Sequence, residues 1–107
     1  MTACFPQRAA QWPEQVARHF TAADAPAEAL PWWLAAGRRA RRAGANAEAV
    51  EHLRTGLTLV ERLPVGDQRD AIELDLLQTL EPVLRVLQGP DSAEAARVRD
   101  RASALHS

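Results

Sequence analysis

Ala25-Pro26-Ala27-Glu28-Ala29-Leu30 returns twenty residues later as Ala45-Asn46-Ala47-Glu48-Ala49-Val50, and each copy opens a stretch with helical apolar spacing. A unit of this size cannot bury an apolar face alone, so repeated units stack on their neighbours and share one core. The echo therefore predicts an all-α fold, with antiparallel helical hairpins stacked as a short α-solenoid of about five helices. Such a stack offers an interaction surface rather than a catalytic cleft.

Working outward from the echo, glycine, proline and short polar clusters divide the chain into five helical segments, and no stretch alternates like a half-buried strand. Residues 1–12 read as an irregular lead-in and 13–107 as the repeat domain. The first helix is expected from Pro13 to Ala23, with proline at its first turn. Asp24 is expected to cap a second helix over Pro26 to Ala43, which Gly44 stops. There Trp33 anchors an inner face of small residues, Ala29, Ala36, Gly37 and Ala40, beside Leu30. Pro31 should kink it. Asn46 is the expected cap of a third helix bearing the stripe Ala49, Val50, Leu53, Gly56, Leu57, Val60 and Leu63. Asp67 and Asp70 should open a fourth, whose face is Ile72, Leu76, Leu77, Leu80, Val83, Leu84 and Leu87, and Pro82 should bend or break it. Asp91 with Glu94 resembles a capping box for a fifth, with Ala95, Val98, Ala102 and Leu105 facing inward.

Composition restricts what this architecture can do. At 107 residues, with 47% apolar and 25% charged residues, the chain suits one domain with a real core. Its formal net charge of −1 lacks the basic excess that phosphate neutralisation demands of nucleic-acid binders. Every one of the 13 basic residues is arginine, which excludes a phosphate-loop lysine and a Schiff-base amine. Cys4 is the single cysteine, so neither an intramolecular disulfide nor a thiolate zinc site can form, and a reducing cytoplasm is the expected compartment. The apolar run Ala29 to Ala36 is far too short to span a bilayer.

Trp33, Ala36, Gly37 and Ala40, followed by Gly44 at the turn and then Ala49, Leu53 and Gly56, resemble the two helices of a tetratricopeptide repeat. Gly56 stands where that pattern usually has alanine, and the closing proline comes late, at Pro64. A longer correspondence runs through Phe5-Pro6, Trp12-Pro13-Glu14-Gln15-Val16-Ala17-Arg18-His19-Phe20, Ala29-Leu30-Pro31-Trp32-Trp33-Leu34-Ala35-Ala36-Gly37, Glu48-Ala49-Val50-Glu51-His52-Leu53 and Leu57 to Pro64. These segments are similar to the C-terminal helical-repeat region of large bacterial signalling ATPases, many of which carry a class III adenylate or guanylate cyclase domain. The resemblance implies a non-catalytic regulatory or protein-interaction module that works with a protein partner or with an adjacent ATPase or cyclase domain. It also implies a fragment of a larger protein, a truncated gene or a degenerate remnant, because the chain starts inside the pattern. No position matches a cyclase metal-binding aspartate or an ATPase phosphate loop, so no catalytic residue, cofactor or metal is expected.

Arg38-Arg39-Ala40-Arg41-Arg42 is the strongest charge feature. It is the expected partner site, together with Trp32, which flanks the inner face by one helical step. The same run could serve a nucleic-acid-associated helical domain, and a solvated helix end whose cations face their own helix dipole is the structural alternative. His19, His52 and His106 fall on three different helices. Glu48 and His52 are four apart, a helix-surface spacing without the second histidine of a zinc protease motif. Asp70, Glu73 and Asp75 read as an exposed acidic face. Open ends of the stack favour self-association through the fourth and fifth helices.

Overall fold

The computed structural model describes the backbone of residues 6–106 and the side chains of residues 13–105. Five helices follow one another without a strand among the described residues: α1 (Pro6–Ala22), α2 (Pro26–Arg42), α3 (Asn46–Val60), α4 (Asp67–Gln88) and α5 (Ala93–His106). Each packs antiparallel on the next, and α2 also touches α4, which is the stacking expected from the echo.

The origin of the echo is visible in the turns. After α1, the Asp24 amide donates to the Thr21 carbonyl and the Ala25 amide to the Phe20 carbonyl. After α2, Gly44 donates to Arg41 and Ala45 to Ala40, the same bonds shifted by twenty residues. Both are Schellman closures, in which one residue must take a left-handed backbone. That residue is Asp24 (φ 59°) in the first turn and Gly44 (φ 79°) in the second. Burial keeps the same register: Ala29, Leu30, Trp33, Ala36 and Ala40 are buried in α2, and so are Ala49, Val50, Leu53, Gly56 and Val60 in α3. The third occurrence fails, because twenty residues after Gly44 stands Pro64, whose ring fixes a negative φ. A six-residue connection, 61–66, takes the place of the tight turn.

Small residues set the helix spacing. A Cβ built on Gly37 would lie 2.6 Å from Leu53 Cγ and Cδ2, so α2 and α3 touch backbone to side chain there. At Gly56 the corresponding neighbour is Leu76 Cδ2, at 3.0 Å across the α3–α4 contact. Leu30, Leu53, Leu76, Leu80 and Leu84 are the largest fully buried side chains, joined by Trp33 at 3% exposure, with Leu57 and Ile72 packed against them at partial burial.

Several local expectations are corrected. Residues 6–12 are helical, so α1 starts at Pro6 and Pro13 lies inside it. A proline within a helix removes one donor, and α1 continues past Pro13 as α2 does past Pro31 and α4 past Pro82, so Pro82 does not break α4. Asp24 and Asn46 are not side-chain caps: the cap positions are Ala25 and Ala45, neither with a side-chain cap bond. Gly66, not Asp67, is the cap position of α4, which keeps Asp67 and Asp70 in its first turn, where their charge complements the dipole. At α5 the cap is Ser92, whose Oγ accepts the Ala95 amide at 3.0 Å, and Asp91 takes no part. Leu87, placed inside by periodicity, is 47% exposed because the core ends with Leu84. Leu34, His52 and Leu59 are buried in addition to the expected stripes.

Candidate functional site

Two adjoining grooves lie where α1 and α3 meet across α2. The first encloses about 490 Å³ and is lined by Glu14 and Arg18 of α1, Ala36, Arg39 and Ala40 of α2, and Glu48 and His52 of α3, among others. The second, of about 440 Å³, continues past Thr21, Trp33, Glu51 and Thr55. Arg18 and His52 border both.

A connected polar cluster stands between the two grooves. Glu14 Oε2 accepts from Arg18 Nε at 2.9 Å and from Arg18 Nη2 at 2.6 Å, the i,i+4 pairing that a helix surface provides. The other oxygen, Oε1, faces His52 Nε2 of α3 at 3.5 Å. Beneath them lies Trp33, whose indole Nε1 donates to Thr21 Oγ1 at 2.9 Å, while that hydroxyl donates to the Ala17 carbonyl at 2.7 Å. The Arg18 guanidinium lies 5.6 Å from the Trp33 ring centre, and the His52 ring 5.5 Å from it. One tryptophan of α2 is thus covered by a cation from α1 and an imidazole from α3.

The sequence-predicted residues are not gathered in one place. Arg38, Arg39, Arg41 and Arg42 are all exposed on the last turns of α2, and only Arg39 reaches the first groove. None of the four forms an ion pair with a described residue, whereas Arg18, Arg54, Arg62, Arg85 and Arg101 each hold a carboxylate. Trp32 is half-buried and packed against the core. Glu48 does not partner His52, whose facing carboxylate is Glu14. Glu73 is held by Arg101 of α5 (Nε to Oε2, 2.8 Å), which takes it out of the acidic face and leaves Asp70 and Asp75 exposed there. The side chains of Cys4, Trp12 and His106 lie outside those described.

The Glu14–His52 relation was not legible in the sequence, where the residues are 38 positions apart and carry no shared motif. The available signal was the register: a polar residue beside Leu53, on the rim of a stripe that must face two helices at once.

Among the described residues, no group of three or more histidine, cysteine, aspartate or glutamate side chains is placed to hold a metal ion, and no helix is long and apolar enough to cross a membrane. No protein-family model, curated protein or solved structure matches the chain.

Proposed function

We propose that this chain is a non-catalytic protein-interaction module, the regulatory repeat segment of a nucleotide-dependent bacterial signalling protein, working in the cytoplasm against a protein partner or an adjacent ATPase or cyclase domain. The observation that carries the reading is the state of the arginines. Four guanidinium groups are concentrated at one end of α2 without a carboxylate partner among the described residues, while five arginines elsewhere are already engaged within the fold. A guanidinium in an internal pair must give that pair up to bind elsewhere. An unpaired one can meet an acidic side chain on a partner with two parallel hydrogen bonds. The half-buried Trp32 supplies apolar area on the same helix, the combination that anchors many interfaces.

The test is association of the purified chain with the ATPase region encoded beside it, followed by fluorescence anisotropy over a range of salt. Replacing Arg38, Arg39, Arg41 and Arg42 together with glutamine should weaken binding roughly tenfold or more and flatten its salt dependence. Unchanged affinity and unchanged salt dependence would return the cluster to solvated surface. A duplex DNA arm separates the alternative: a nucleic-acid domain would bind the duplex with a steep salt slope.

A further inference from the structure

We propose that the arginine-bearing end of α2 is occupied by a second copy of this chain, docked head to tail through its opposite, carboxylate-bearing pole. This occupant presupposes that the arginine end is a binding surface, as read above.

Helix order separates the two charges. Successive helices pack antiparallel, so the last turn of α2 shares one pole of the molecule with the first turn of α3 and the α4–α5 connection, while the first turns of α2 and α4 share the other with the last turn of α3. The first pole carries the exposed Arg38, Arg39, Arg41 and Arg42 against only Glu48 and Asp91, and Arg85 there is held by Glu81. At the second pole Glu28, Glu61, Asp67 and Asp70 are all exposed, and none forms an ion pair with a described residue. The arginines beside them are committed: Arg62 to Asp24, Arg69 to the Leu63 carbonyl and Arg101 to Glu73. Among the described residues the two poles are thus of opposite sign.

Distance keeps these charges from satisfying one another within a molecule. α2 has 17 residues and is about 25 Å long, whereas the Debye length is about 10 Å at 0.1 M salt. A second copy brings the two poles into contact. Spacing matches as well as sign. Arg38 and Arg41 stand one helical turn apart on α2, as do Arg39 and Arg42, and Asp67 and Asp70 stand one turn apart on α4. Two guanidinium groups of one copy can therefore each meet a carboxylate of the next. The helix dipoles favour both sets of charges where they stand and leave their hydrogen-bonding atoms open to a partner. A molecule with poles of opposite sign also orients an approaching copy head to tail. Exposed ion pairs are individually weak and screened, so the contact has low affinity and a steep salt dependence. Every copy carries both halves, so the contact repeats from copy to copy.

The experiment is sedimentation velocity of the purified chain at concentrations up to about 300 µM, a range suited to contacts made of exposed pairs. In about 20 mM salt the sedimentation coefficient of the parent should rise with concentration, and the apparent Kd should weaken roughly tenfold or more in about 300 mM salt. The chain with Arg38, Arg39, Arg41 and Arg42 replaced by glutamine should stay monomeric, and so should the chain combining Glu28→Gln, Glu61→Gln, Asp67→Asn and Asp70→Asn. Mixed together, these two variants should form a one-to-one pair that grows no further, because one keeps the acidic pole and the other the arginine end. Circular dichroism identifies a variant that has not folded, and the parent's own response needs no substitution. A parent that stays monomeric in about 20 mM salt, or that associates equally in about 300 mM salt, overturns the pairing. Folded variants that do not pair when mixed overturn it too. If the parent is monomeric and its arginines still bind the ATPase region, the second copy is removed as occupant and the binding surface stands; if neither contact forms, both readings fall.

Discussion

The α2–α3 hairpin and the α4–α5 hairpin have the same topology and are held together by opposite means. Between α2 and α3 the contact is apolar and close: Trp33, Leu53, Val50 and Leu30 are buried, and Gly37 admits Leu53 to the helix backbone. Among the described residues of α5 the buried apolar side chains are Ala95 and Val98, with Ala102 and Leu105 half-covered. What α5 lacks in area it draws from charge. Glu94 takes the Arg54 guanidinium of α3 and the Gln88 amide of α4, and Arg101 reaches back to Glu73. Buried area is indifferent to salt and pH, whereas exposed ion pairs are weak and screened. The two ends of the molecule should therefore respond to different perturbations.

The sharpest way to break this contrast is Leu53→Ala. It should cost about 2–5 kcal/mol in denaturant unfolding and lower the protection of every helix, since the cavity opens in the shared core. Loss confined to α3 would show that the core is not shared. Gly37→Ala comes next, at about 1–3 kcal/mol, because its Cβ would overlap the buried Leu53 side chain at its branch point. Combined with Leu53→Ala its cost should shrink well below the sum, which a double-mutant cycle measures. Gly44→Ala should cost about 1–2 kcal/mol by forcing a side chain into the left-handed turn. The matching Asp24→Gly should stay within roughly 0.5–1 kcal/mol of the parent, as relief of strain offsets the lost Asp24–Arg62 pair.

Smallest is Arg54→Gln, at about 0.5–1 kcal/mol, and it should raise exchange in α5 while leaving α2 untouched. This pair also carries a pH signature. The hydrogen bond from Arg54 holds the Glu94 carboxyl below its ordinary range, against the opposing pull of burial. Its contribution is therefore present above the usual glutamate range and is lost as pH falls through the lowered folded value. Acid should therefore loosen α5. Stability of α5 that is independent of pH below about 5 in the parent, or that falls equally in Arg54→Gln, would remove the ion pair from the account.

What the sequence made legible was the part governed by period and punctuation. The stripes of Leu53, Leu76 and Leu80, the stop at Gly44 and the all-α stack follow from spacing alone. The misses share a physical origin. Asp24 was read as the start of α2 because aspartate is a good cap, but the same residue type also tolerates the left-handed conformation that ends α1. The echo already aligned it with Gly44, which was the missing clue. His52 and Leu59 fell outside the expected stripe because α3 is covered on two sides, by α2 and by α4, and a helix so placed buries a wider arc than a single-sided pattern implies. Of the site, the arginine cluster was legible as a run of charge. Its contrast with the engaged arginines was not, since pairs such as Arg54–Glu94 and Arg62–Asp24 join residues far apart in the chain.

The connection over residues 61–66, where Pro64 prevents a third copy of the tight turn, has an engineering consequence. The hydrogen bonds of its backbone lie at its two ends, where Arg62 donates to Leu59, Leu63 donates to Val60 and accepts from the Arg69 guanidinium, and Gly66 accepts from the Asp70 amide, while Val65 at the tip is 88% exposed. Exposed tips are where chains accept foreign sequence or a protease's cut. A tag inserted beside Val65, or a new pair of termini opened there by circular permutation, should leave both hairpins standing. The joint thereby offers a handle for attaching a reporter to the molecule without touching the grooves or the arginine-bearing end of α2.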